Sequence, residues 1–130
     1  MTIELICLTL ITLFTALMWL PYMVNVVDVR GVSDALGYPR NPADVSQWAS
    51  RVDRAHRNAV ENLVIFAPLV LIAHTAGISN ETTVLSCIIY GFARVVHFFT
   101  LMLAVPVIKS LSFMIGSACQ VVLALAILMQ

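Results

Sequence analysis

Arg51, Arg54 and Arg57 stand on one short stretch with Asn58, Glu61 and Asn62, and little else in the 130-residue chain could do polar chemistry. At 100° per residue, Arg51, Arg54, Asn58, Glu61 and Asn62 fall on one arc of a helix, with Arg57 at its edge. Guanidiniums are planar forks that grip carboxylates in a bidentate manner. Several of them beside a single carboxylate therefore call for an anionic guest. Asn58 and Asn62 can serve an amide backbone, and the Glu61 carboxylate can take an ammonium. A small, extended, carboxylate-rich peptide with a free amine suits that inventory. The plainer reading makes Arg51, Arg54 and Arg57 interface anchors whose stems lie along apolar surface while their heads reach water. Asn58 and Glu61 lie too deep for that reading to cover them.

The surroundings are hydrocarbon. The chain is 61% hydrophobic and 11% charged, with a mean hydropathy of +0.97. A soluble domain carries about 25% charge, so this is a membrane protein. A formal net charge of zero excludes nucleic acid as a partner, because phosphate backbones demand a clustered basic excess. Cys7, Cys87 and Cys119 sit in apolar runs without a CxxC spacing and read as small hydrophobes. His56, His74 and His97 share no metal-ligand spacing, so no metal is expected. No phosphate loop, nucleophile elbow or paired-carboxylate motif is visible. The N-terminus lacks a basic region, carries Glu4, and runs uncharged from Leu5 to Val27, which predicts a retained spanning helix rather than a signal peptide.

The elements that must position the arc are four transmembrane helices, at about 3–27, 51–76, 81–104 and 106–129. They form one all-α, up-down four-helix bundle over residues 1–130. Trp19 and Tyr22 are interface anchors, and Pro21 bends the first helix. A polar loop covers 28–50, punctuated by Gly31, Gly37, Pro39 and Asn41-Pro42, with a short interfacial helix starting at Asn41-Pro42. Ser50 and Asp53 have capping-box spacing and predict the start of the second helix. Pro68 lies inside that helix, and Gly77 is placed to end it. Asn80-Glu81 starts the third. Connections this short make sequential helices antiparallel. Arg30, Arg40, Arg51, Arg54, Arg57 and Lys109 gather at one end. The positive-inside rule puts that end in the cytoplasm and both termini on the other side.

The apolar part of the second helix, Leu63 to Ala76, is too short for a slab needing roughly 20 residues, so the Arg57–Glu61 turn enters the hydrocarbon. At about 1.5 Å per residue, Glu61 and Arg94 lie at one level, as nearly do Asn58 and His97. An unpaired charge there costs several kcal/mol, so a Glu61–Arg94 ion pair is expected, within a subunit or across an interface. Tyr90, Arg94, His97 and Leu101 form a stripe on the third helix. Lys109, Phe113, Gly116 and Gln120 form one on the fourth. Three polar faces can thus converge on one pocket.

The stretch Arg54-Ala-His-Arg57-Asn58-x-x-Glu61, early in the second of four membrane helices, resembles the signature of the MAPEG proteins, membrane-associated proteins in eicosanoid and glutathione metabolism. Ala93-Arg94-Val-x-His97 and the region from Pro106 through Lys109-Ser110 to Phe113 fit as well, so the likeness spans nearly the whole chain. It is greatest to small bacterial members, which implies a bacterial inner-membrane location. The resemblance implies a homotrimer with glutathione as co-substrate, bound between subunits near the cytoplasmic face. It implies Arg30, Arg54, Arg57, Asn58, Glu61 and His97 as binding residues, to which the arc on the second helix adds Arg51, and it implies Arg94, Lys109 and Ser110 around the thiol. The implied activity is that of a glutathione transferase or peroxidase acting on lipophilic electrophiles that arrive through lipid. Leu101 and Phe113 stand where relatives carry tyrosines, and Lys109 where several carry arginine. Those departures leave a non-catalytic protein, retaining only the pocket or the trimer scaffold, as the alternative.

Overall fold

Hydrocarbon offers a backbone N–H no water to bond, so a chain this apolar must satisfy its peptide groups internally, which helices do locally. The computed structural model describes residues 1–130 and consists of α1 (Ile3–Leu17), α2 (Trp19–Leu36), α3 (Gln47–Thr75), α4 (Glu81–Met102) and α5 (Ile108–Leu128). α1 and α2 follow one another as one span, so 4 helical segments are long and apolar enough to cross a membrane. The chain is an all-α, multi-pass membrane protein.

The break between α1 and α2 has a local cause. Pro21 has no N–H to give the Leu17 carbonyl and its ring crowds that carbonyl. Met18 instead turns back onto the Thr15 carbonyl at 3.3 Å. Beyond it the expectation of a polar loop from Asp28 needs correction, because helix continues to Leu36. Gly31 does interrupt it, at φ 80°, but for one residue only. A glycine permits a break without imposing the end of a helix. The non-helical connection is confined to the residues between Leu36 and Gln47.

The start of α3 also differs from expectation. The helix begins at Gln47, with Ser46 as its N-cap, so the Ser50–Asp53 capping box does not form. Ser50 is already helical, its N–H donating to the Ser46 carbonyl at 3.1 Å. Residues 42–46 are not helical, which removes the short helix expected after Asn41-Pro42. The cause is a contact no local pattern encodes. Buried Asn25 of α2 donates through Nδ2 to Ser46 Oγ at 2.9 Å and accepts the Ser46 N–H on Oδ1 at 2.9 Å. One amide thereby fixes the residue from which α3 departs.

The other ends follow the sequence more closely. Gly77 takes φ 71°, and the Ile78 and Gly77 N–H groups return to the Ala73 and His74 carbonyls at 2.8 and 3.1 Å. This is the glycine-terminated closure of a helix. Asn80 caps α4 in a reciprocal box with Thr83. At the turn into α5, Ala104 and Val107 have positive φ (56° and 27°), a conformation that costs a residue with Cβ about 1–3 kcal/mol.

α4 and α5 make the most extensive helix pair, and α3 packs against both. Two apolar clusters result. One contains Phe66, Val70, Cys87, Tyr90 and Leu123; the other, nearer the basic end, contains Met18, Val52, Ala55, Ala59 and Phe98. The Phe66 and Tyr90 rings stack at 3.9 Å in the first. Between the clusters lie the buried polar side chains of Asn62, Arg94 and Gln120.

Candidate functional site

Helical periodicity puts Arg51, Arg54 and Asn58 on successive turns of α3, and α4 and α5 bring their own polar faces to meet them. Two adjoining clefts result at the basic end. The larger, of about 440 Å³, is lined by Arg54, Asn58, His97, Leu101, Lys109, Ser110, Phe113 and Met114. The smaller, of about 210 Å³, is lined by Arg51, Arg54, Thr100, Leu101, Ala104, Val105, Pro106 and Lys109. Arg54, Leu101 and Lys109 border both, so the two form one basic trough.

Each wall is held by specific bonds. Arg51 donates from Nε and Nη2 to the Met102 carbonyl at 3.3 and 3.2 Å. That carbonyl ends α4, where a cation meets the negative end of the helix dipole. Buried His97 lies 2.9 Å from the Lys109 carbonyl through Nδ1. A carbonyl only accepts, so this contact places a ring proton on Nδ1, and in the neutral ring Nε2 is then the acceptor. Ser112 Oγ donates to the same carbonyl at 3.0 Å. The first turn of α5, which carries Lys109 and Ser110, is thereby pinned to α4.

Arg94 is 4% exposed and donates from Nη2 to Asn58 Oδ1 at 2.7 Å, while Nε and Nη1 have no partner. Asn58 is steadied in turn by Asn62, whose Nδ2 donates to the Asn58 carbonyl at 2.8 Å. Gln120 Nε2 donates to the Asn62 carbonyl at 3.0 Å. The Glu61–Arg94 pair does not form within the chain. Glu61 is exposed on the outer face of α3, and the guanidinium reaches the residue one turn nearer the basic end. Matching depth along two helices does not ensure matching azimuth, and Glu61 fails on azimuth.

Of the ten residues named from the sequence, Arg51, Arg54, Asn58, His97, Lys109 and Ser110 line the trough. Arg94 supports it from behind through Asn58. Three lie apart. Arg30 donates to the Ala43 carbonyl at 2.7 Å and ties down the connection before α3. Arg57 is exposed and pairs with Asp53 at 3.0 Å. Glu61 faces outward. Ser112 and Thr100 were not among the sequence candidates. Ser112 follows Lys109 by three residues, a spacing at which a serine reaches back to a carbonyl, and that was the available signal.

The arrangement of a cationic trough between α3, α4 and α5 of a four-span membrane bundle agrees with a sequence match to the MAPEG family over residues 6–129. The chain belongs to the MAPEG family. No curated protein matches the sequence. MAPEG proteins typically bind glutathione. In this MAPEG chain the larger cleft carries cationic and amide donors from Arg54, Lys109 and Asn58. Phe113 and Met114 add apolar lining.

Proposed function

We propose that this MAPEG protein binds glutathione in the basic trough and directs its thiolate at lipophilic electrophiles, as a glutathione transferase or peroxidase. The observation that carries the reading is the larger cleft, where Arg54, Asn58, His97, Lys109 and Ser110 converge although they come from three helices. Its volume falls within the range of small-molecule sites. Arg54 suits a glutathione carboxylate, and Asn58 an amide. The Lys109 ammonium favours a thiolate over a thiol, and the Ser110 hydroxyl can donate to sulfur. In conjugation the thiol proton passes to solvent, sulfur bonds to the electrophilic carbon, and the leaving group departs with its electron pair. With a peroxide, sulfur attacks one oxygen as the O–O bond breaks, giving an alcohol once protonated. A second glutathione then releases the disulfide and water.

A homotrimer with the trough at a subunit boundary completes this reading. Glu61 lies about 21 Å along the helix from Thr75, inside a slab about 30 Å thick, yet it is exposed and unpaired in the chain. A neighbouring subunit would remove that carboxylate from lipid, and Arg30 and Arg57 would complete the anion site across the boundary. The excess of Lys and Arg at the trough end supports a cytoplasmic site with both termini opposite; a bacterial inner membrane rests on the resemblance to small bacterial members alone.

A second reading rests on Leu101 and Phe113, apolar residues lining the cleft with no hydroxyl to offer. On that reading the protein binds glutathione without turning it over. One experiment separates the two. The purified protein in detergent is heated with and without glutathione and assayed for conjugation of an aryl halide. Stabilisation with turnover supports the enzyme, and stabilisation alone supports the binder. Neither effect overturns both.

A further inference from the structure

At the end of the bundle away from the trough, a carboxylate is buried without a full set of partners. Glu4, in the first turn of α1, is 3% exposed. Its Oε1 accepts the hydroxyl of Thr83 at 2.6 Å and that of Ser79 at 2.9 Å. Its Oε2 is buried and accepts from nothing. Glu4 borders a cavity of about 240 Å³ whose other polar walls are Thr2, His74 and Ser79, with Gly77 and Ile78 closing the side. The cavity sits against the C-terminus of α3, where the backbone presents the negative end of the helix dipole.

We propose that this cavity is a second binding site, specific for a primary ammonium. The charge balance sets the sign of the ligand. All 7 Lys and Arg residues lie elsewhere, at Arg30, Arg40, Arg51, Arg54, Arg57, Arg94 and Lys109. None of them, nor the Met1 amine or His74, forms an ion pair with Glu4, which has only the α1 N-terminal dipole and two hydroxyls to offset its charge. The ligand class follows from the donors wanted. A primary ammonium carries three N–H groups that can meet Oε2, a hydroxyl and a helix-end carbonyl together. A quaternary ammonium has no N–H and cannot. A bare metal ion would need several oxygens drawn close around it, whereas the site offers one carboxylate, two hydroxyls and an imidazole. The N–H donor can belong to an ethanolamine phospholipid headgroup in the nearby leaflet or to a free amine, and both present the same chemistry.

The test uses the full-length protein in detergent, with native mass spectrometry and thermal unfolding read against three additives. These are phosphatidylethanolamine, phosphatidylcholine of the same acyl chains, and ethanolamine alone. Charge-assisted hydrogen bonds predict a preference for phosphatidylethanolamine over phosphatidylcholine on the order of tenfold or more. Glu4→Gln keeps the shape and an acceptor for Ser79 and Thr83, and it is expected to abolish the preference. Ile78→Trp, which fills the cavity with Glu4 intact, is expected to abolish it too. Far-UV circular dichroism of both variants checks that each is folded. Saturable stabilisation by ethanolamine alone, lost in Glu4→Gln, would identify a free amine as sufficient, whereas its absence would assign the site to the lipid. Equal binding of the two phospholipids, a preference that survives Glu4→Gln in folded protein, or stabilisation by sodium alone would overturn the proposal.

Discussion

Asn58→Ala should destabilise the protein more than removing the arginine it serves. Arg94 is 4% exposed, and of its three side-chain nitrogens only Nη2 has a partner, Asn58 Oδ1 at 2.7 Å. Truncating Asn58 leaves a buried guanidinium with no bond at all. A hydrogen bond to a charged group contributes about 1.5–3 kcal/mol, and stranding a buried charge raises the cost to about 3–5 kcal/mol. Arg94→Met removes the charge and keeps most of the volume. Asn58 Oδ1 still has Asn62 Nδ2 at 3.4 Å, so the loss should be about 1 kcal/mol. The double variant should then match Arg94→Met rather than the sum of the two singles. The coupling then equals the whole cost of Asn58→Ala, about 3–5 kcal/mol.

The assay is unfolding in mixed micelles by a denaturing detergent, followed by far-UV circular dichroism, without glutathione present. The wild type, both singles and the double variant form a complete cycle. Strict additivity, or an Arg94→Met variant less stable than Asn58→Ala, would show that the guanidinium draws its support from somewhere other than Asn58. The distinction matters for function, because Asn58 also lines the larger cleft. Part of its capacity to meet a ligand is committed to holding Arg94.

On the proposed reading, Lys109 and Ser110 meet charge that develops on sulfur, so Lys109→Ala and Ser110→Ala should each lower conjugation turnover by about 10²-fold while changing glutathione affinity far less; kcat equal to the wild type in both variants would dismiss the roles. Asn25→Ala removes both bonds to Ser46 and should cost about 1–3 kcal/mol, read as a lower thermal midpoint with the helix content unchanged. Gly116→Ala places its Cβ 3.6 Å from Arg94 Cδ and 3.8 Å from the Tyr90 ring, ordinary contact distances. It should therefore be neutral or raise the midpoint, by up to about 1 kcal/mol, whereas Gly116→Leu should lower it by overpacking.

Much of this architecture was legible because it is written in short-range chemistry. Gly77 and Asn80 mark the α3–α4 connection through backbone geometry and a side-chain cap, both local effects. The stripes on α4 and α5 follow from helical period alone, and they meet where Arg94 and Tyr90 face Gly116. What escaped the sequence were choices made by distant partners. Ser46, not Ser50, starts α3 because Asn25 holds it from another helix. Arg94 meets Asn58, not Glu61, because rotation about the helix axis decided between two residues of similar depth. The Glu4 pocket was hidden for the same reason, since Ser79 and Thr83 reach it across more than seventy positions of chain.

The trough and the outward Glu61 constrain one another. α3 has 29 residues and so is about 43 Å long, more than a hydrocarbon slab of about 30 Å requires. Its first turns therefore project toward water and carry Arg51 and Arg54 with them. Sliding the helix deeper would bring those arginines into lipid, and sliding it out would strand the apolar Leu63–Ile72 face in water. The vertical position is thus fixed by the same residues that line the trough, and it leaves Glu61 within the slab on an outer face. Only a partner to that face, and not a shift of the helix, can relieve the carboxylate. Mixed-micelle stability of Glu61→Gln tests this directly. If a second subunit pairs with Glu61, the variant loses assembly on size exclusion. If Glu61 meets lipid alone, the neutral variant is more stable than the wild type and its assembly is unchanged.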